Sequence, residues 1–240
     1  MTKKLIVITG GGSGVGLATV DLFTSIGHPC LVLGRNAESS PAAHHPNTLC
    51  RNVDVSDAQA FQQAVREAEK RYGSVDCLIN NAGVMYLSTI DDQPSNQWRA
   101  MFSTNVEGVI NGIQSVASTM KREKSGTIIN IGSLGGNKTL DNHGLYCATK
   151  AAVHSIGDLL RQELSVFGVR VSTIAPGAID TDLINHTTNE SMVAGHNHYV
   201  SSINGALSAD DIAELALYIY QLPKHICLRE VVVAATLQKI

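Results

Sequence analysis

Seven short apolar runs, rich in β-branched residues, are spaced along this chain: LIVIT (5–9), CLVLG (30–34), TLCRNVDV (48–55), VDCLIN (75–80), GTIINIG (126–132), VRVSTIA (169–175) and EVVVAA (230–235). Such runs suit strands buried on both faces, the condition of a parallel sheet covered by helices. Between them, apolar residues repeat at helical spacing. In residues 57–73, Phe61, Val65, Ala68 and Tyr72 share one face, with Ser56 as the expected N-cap and Gly73 as the stop. Residues 96–123, 147–167 and 209–222 read the same way, the last with Ser208 as N-cap and Pro223 as stop. Strand alternating with helix implies right-handed crossovers and therefore an α/β fold, doubly wound, with helices on both faces of a mostly parallel seven-stranded sheet. The 240 residues fit one such domain, 1–240, large enough to bury roughly 70–75% of its unfolded surface. The one long irregular segment, about 183–207, is rich in Asn, His, Ser and Thr and is expected to form a lid over substrate.

Composition removes several classes of function. A formal charge of −3 gives no clustered basic face for nucleic acid. No apolar stretch approaches the roughly 20 residues that span a bilayer. The two lysines of MTKKLIVITGG precede an apolar run too short for a signal core. Cysteines at 30, 50, 77, 147 and 227 form no CxxC pair, which points to reduced thiols and a cytoplasmic setting.

The first strand runs directly into TGGGSGVG (9–16) and then a helix. A helix N-terminus exposes unpaired N–H groups and partial positive charge, and glycine lets a phosphate approach the backbone. The turn therefore reads as a dinucleotide cradle in a Rossmann-type domain, although Gly10, Gly14 and Gly16 are spaced G-x-x-x-G-x-G and not G-x-G-x-x-G. NNAG (80–83) follows the fourth strand, Ser133 ends the fifth, and PG (176–177) follows the sixth. Tyr146 and Lys150 in YCATK stand four apart, on one helical face, and Asn105 lies inside the preceding helix. Ligands of doubly wound sheets bind at the carboxyl ends of the strands, where these pieces fall.

In this motif set, and over essentially the whole chain from Leu5 to the last strand, the sequence resembles the short-chain dehydrogenase/reductase family. The tail from 207 onward is similar to its NADP-dependent 3-hydroxy acid dehydrogenase branch. The resemblance implies that Gly10, Ser13, Gly14, Val15 and Gly16 wrap a pyrophosphate, that Asp54 and Val55 hold the adenine side, and that Asn81, Ala82 and Gly83 flank the ribose. It implies that Pro176, Gly177, Ile179 and Thr181 hold the nicotinamide end. It also implies a catalytic tetrad of Asn105, Ser133, Tyr146 and Lys150, with Lys150 binding ribose hydroxyls and Asn105 relaying protons. Family members are commonly homotetramers or homodimers built on the helices here near 96–123 and 147–167.

Reducing a carbonyl needs hydride on carbon and a proton on oxygen. A free phenol, with a pKa of about 10, exchanges protons poorly near neutrality, and a nearby ammonium would lower it by about 1–3 units. Tyr146 is thus expected as general acid/base and Ser133 as hydrogen-bond donor to the substrate oxygen. The second strand ends in Gly34 and Arg35 where an NAD enzyme would carry an acid. A guanidinium suits a phosphate, so NADP(H) is expected over NAD(H), with a small carbonyl or secondary alcohol as substrate. Substrate walls are expected in 84–94, 134–145 and 178–207, where Lys138 is the one evident cation for a substrate carboxylate. The histidines of GHNHY (195–199) read as a polar lid and not as a metal site. The competing function is a catalytically silent dinucleotide sensor or scaffold, which the presence of all four polar groups disfavours.

Overall fold

In the computed structural model, which describes residues 3–203 and 205–239, the apolar runs form β1 (Leu5–Thr9), β2 (Cys30–Gly34), β3 (Thr48–Asn52), β4 (Val75–Asn80), β5 (Gly126–Ile131), β6 (Val169–Pro176) and β7 (Glu230–Val233). All pair in parallel, in the order β3-β2-β1-β4-β5-β6-β7. The order reverses between β1 and β4, which opens a crevice at their carboxyl ends. Side-chain alternation builds the layers. Leu5 and Val7 of β1 join a core beneath α2 (Ala58–Tyr72), α4 (Gly108–Glu123) and α6 (Gly144–Leu164). Ile6 and Ile8 face the opposite core, under α1 (Gly14–Ser25) and α8 (Ala209–Gln221). Burial of each such side chain contributes about 1.5–3 kcal/mol, so both faces must be covered for the sheet to persist.

Three local expectations change. The cap of α2 is Asp57, whose carboxylate accepts from the Gln59 and Ala60 N–H groups, while Ser56 donates to Asp54. The segment 96–123 is not one helix: α3 (Ser95–Phe102) passes through a π turn at Ser103–Glu107 into α4. The turn buries Asn105, whose amide binds the Val84 main chain and not its own helix. The third concerns 183–207, which is largely helical: a 3₁₀ turn at Asp182–His186 precedes α7 (Glu190–Ser202), capped by Asn189. No residue of α7 is buried, so it carries no apolar stripe by which periodicity could reveal it. The remaining helix, α5 (Leu134–Asn137), is a single turn that Ser133 caps.

Candidate active site

Gly10 and Gly14 adopt φ of +65° and +49°, conformations open to glycine. At Gly16 the constraint is steric, since a Cβ there would lie 2.1 Å from the Gly10 carbonyl oxygen. Glycine lets α1 descend onto β1. Asn81 braces the same turn: its side-chain amide donates to the Thr9 and Gly10 carbonyls, and its N–H and that of Ala82 both reach Thr9 Oγ1 at 3.0 Å. The side chains of Asp57, Asn189 and Ser208 cap their helices, but Ser13 leaves the α1 N-terminus uncapped, and no acid stands in its first turn. Those N–H groups are left for an external anion.

This turn opens on a cavity of about 1020 Å³, at the upper end of ordinary ligand sites of roughly 300–1,000 Å³. Of the cofactor residues expected from sequence, Gly10, Ser13, Gly14, Val15, Arg35, Asp54, Val55, Asn81, Ala82 and Gly83 line it, as do Tyr146, Lys150, Pro176, Gly177, Ile179 and Thr181. Gly16 lies behind the wall, in its packing role. Exposed Arg35 sits at one end beside Asn36, Ser39 and Ser40. Asp54 is held below the usual carboxylate range by hydrogen bonds from Ser56, with a smaller pull from the Arg35 charge. The uncapped helix, the glycine contacts and the long cavity fit a dinucleotide.

At the other end, Ser133, Tyr146 and Lys150 share the cavity wall. Ser133 Oγ accepts from the Gly135 N–H at 3.1 Å, and its hydroxyl is hydrogen-bonded to the Tyr146 phenol. Lys150 Nζ, 5.7 Å from the Tyr146 ring centroid, donates to the Ile131 carbonyl at 2.9 Å. Both side chains are buried. Burial pushes the Tyr146 phenol up to about 12, against the opposing pull of its hydrogen bond with Ser133. Burial likewise draws the Lys150 ammonium down to about 8. In the protein alone, desolvation thus outweighs the expected depression of the tyrosine by its lysine. Asn105 does not line the cavity; its Nδ2 donates to the Val84 carbonyl and to Thr149 Oγ1, each at 3.0 Å.

Beyond these groups the wall is mainly apolar, including Met85, Leu87, Leu183 and Met192, with imidazoles at His143, His186 and His196. The His143 and His196 rings lie 6.3 Å apart, and burial holds both below the usual imidazole range. No cluster of three His, Cys, Asp or Glu able to hold a metal occurs among the described residues. Lys138, expected to meet a substrate carboxylate, is exposed and stands outside the wall. Besides Lys150, Lys239 lines the cavity, beside Gln238, whose Oε1 accepts from the Ala178 N–H. Sequence reasoning missed these two, because nothing in a terminal Gln-Lys signals that the chain folds back past β7. It also missed Asn36, Ser39 and Ser40, ordinary turn residues brought in by the exit from β2.

The sequence profile of the short chain dehydrogenase family matches residues 4–191. An uncharacterized oxidoreductase of Staphylococcus aureus (strain MW2) is 33% identical over 239 residues, spanning 97% of each chain. The closed form of serine dehydrogenase complexed with NADP+ superposes with a TM-score of 0.91 at 25% identity, covering 98% of this chain and 96% of that one. A 3-ketoacyl-(acyl-carrier-protein) reductase from Brucella melitensis complexed with NADH gives 0.86 at 25% identity, covering 97% and 98%. Fold, cavity and sequence thus agree: the chain belongs to the short-chain dehydrogenase family, as an oxidoreductase that acts on CH–OH donors with a nicotinamide dinucleotide.

Proposed function

We propose that the protein interconverts a carbonyl and a secondary alcohol with NADP(H), using Tyr146 as general acid in reduction and general base in oxidation. The bound nicotinamide supplies or takes the hydride. The protein supplies the proton and the electrostatics. The observation that carries the reading is the buried Tyr146–Lys150 pair, with the Ser133 hydroxyl hydrogen-bonded to the Tyr146 phenol on the cavity wall. Ser133 donates to the substrate oxygen as negative charge grows on it. Lys150 holds the ribose hydroxyls, and its positive charge, present below about pH 8, favours the phenolate after proton transfer. Asn105, whose side-chain amide is spent on Val84 and Thr149, completes the set at the π turn, where it would help hold a water that leads protons to Lys150.

Arg35 supports NADP(H) over NAD(H): it follows Gly34, where no acid repels a 2′-phosphate, and it lines the cavity with three small polar residues. A neutral ketone, aldehyde or secondary alcohol fits the mainly apolar wall. Five free thiols suit a cytoplasmic protein. The exposed Ile110 on α4 and Leu159 on α6 suit a homodimer or homotetramer, to be checked by light scattering.

The test is a carbonyl panel with NADPH, followed at the nicotinamide absorbance band. Tyr146→Phe is expected to lower kcat by about 100-fold or more. Arg35→Ala is expected to raise the KM for NADPH by about 10-fold or more, because a charge-assisted hydrogen bond contributes about 1.5–3 kcal/mol, while leaving NADH nearly unchanged. Full turnover by Tyr146→Phe would overturn the assignment; NADPH binding without turnover of any carbonyl would instead leave a dinucleotide sensor.

A further inference from the structure

Behind the catalytic serine lies a second buried group that the reaction, as described, does not use. His154 stands one helical turn beyond Lys150 on α6, its side chain 10% exposed. It occupies a slot between the two glycines that bracket Ser133. A Cβ at Gly132 would fall 2.3 Å from His154 Nε2, and one at Gly136 would fall 2.6 Å from the same atom. The ring is thus seated where any larger residue on this loop would expel it. Its Nε2 accepts a hydrogen bond from the Ser133 N–H at 3.3 Å. An accepting Nε2 places the single proton of a neutral imidazole on Nδ1. That nitrogen faces Glu230 Oε1 at 3.5 Å, across the first residue of the edge strand β7.

The same short loop is gripped from three sides. Lys150 Nζ holds the Ile131 carbonyl, the Gly132 N–H donates to the Ile174 carbonyl at 2.7 Å, and His154 takes the Ser133 N–H. Two of the three grips come from one face of α6, four residues apart. The Ser133 main chain has no other side chain to accept its N–H among the described residues.

We propose that His154, oriented by Glu230, is a positioning residue for Ser133, and that the enzyme is competent only while His154 is neutral. Protonation turns Nε2 from acceptor into donor, so that an N–H faces the Ser133 N–H and the serine loop is released. The inference rests on Ser133 acting as donor to the substrate oxygen. The titratable groups that face His154 are Glu230 from β7 and Lys150 from its own helix. Burial holds the imidazole below its ordinary 6.5, reinforced by the Lys150 charge and opposed by the Glu230 carboxylate and, least, by the Ser133 backbone, so the competent form prevails at neutrality.

The experiment pairs the pH profile of kcat, measured with NADPH and a carbonyl substrate, with the amide nitrogen shift of Ser133 in serine-labelled protein. In the wild type both are expected to turn over together below pH 6.5. His154→Gln keeps an acceptor near the Nε2 position without a titration, and is expected to retain kcat within about 3-fold and lose the acid limb. His154→Leu fills the slot without an acceptor and is expected to lose roughly 10- to 100-fold in kcat, the scale of a small misplacement, with the KM for NADPH unchanged. Glu230→Gln, on the exposed sheet edge, moves both midpoints to lower pH and serves where His154→Leu does not fold. A Ser133 amide that does not titrate, or an acid limb that survives in His154→Gln, overturns the proposal. Because the amide titration needs no substrate, it decides the inference even where no carbonyl is reduced and the catalytic reading itself fails.

Discussion

A lysine 5% exposed, with its ammonium drawn down to about 8, carries a stability cost in exchange for its place beside Tyr146. The sign follows from proton binding. Between pH 8 and its ordinary 10.5, the unfolded chain holds the Lys150 proton and the native chain has shed it, so the Lys150 contribution to stability rises with pH there and is least favourable below 8. Lys150→Met is therefore expected to abolish turnover yet raise Tm at pH 7 by several degrees, at about 2–4 °C per kcal/mol for a chain of this size. The gap between variant and wild type should close as pH climbs from 8 to 10.5. Comparing the two chains by calorimetry across that range removes the buried thiols from the reading, since Cys30 and Cys77, both pushed up by burial, are common to both. A variant no more stable than the wild type at pH 7 would refute the desolvation argument. His154 belongs to this scale too, because what matters is which of its two nitrogens carries the proton.

Two helices with similar caps should respond differently to losing them. Asn189 caps α7 by accepting from Ser191 and Met192 N–H groups, and Ser208 caps α8 in a reciprocal box with Asp211. Each cap contributes about 1 kcal/mol to its own helix. But α8 buries Ile212, Ala213, Ala216 and Ile219, whereas α7 buries none of its residues. Ser208→Ala is thus expected to lower the global Tm by roughly 2–4 °C, because α8 melts with the sheet it covers. Asn189→Ala should leave Tm nearly unchanged and speed hydrogen exchange in 190–202, since α7 can open alone. As α7 brings Met192 and His196 to the cavity, that variant should also raise the KM for the carbonyl substrate more than it lowers kcat. Equal losses of Tm in the two variants would show that α7 is part of the cooperative unit. The π turn between α3 and α4 belongs to this scale as well. Helical spacing runs unbroken through 96–123, and only the pull of Val84 and Thr149 on Asn105 marks where the ladder slips.

For the molecule as a whole, the cavity joins the two halves of the sheet, so a dinucleotide bound along it should stabilise both at once. NADPH at about 100 times its Kd is expected to add about 2.7 kcal/mol, or roughly 5–10 °C in Tm. NADH at the same concentration should add less if Arg35 selects the phosphate, and a larger shift with NADH would reverse the cofactor assignment. Much of this was legible in one dimension. Strands, their parallel pairing, the glycine turn and the order Ser133, Tyr146, Lys150 along the cavity wall all follow from local pattern, because buried strands must be apolar, a close backbone approach demands glycine, and residues four apart share a helical face. What one dimension could not supply is whatever depends on distant segments meeting. That Lys239 and not Lys138 reaches the cavity, that Asn105 turns to Val84, and that Glu230 stands behind His154 are settled by where distant chain segments meet, at the sheet edge for Lys239 and Glu230 and beside central β4 for Asn105. The balance between desolvation and charge at Tyr146 and Lys150 was likewise decided only in the fold, because burial is a property of everything packed around a group and not of the group itself.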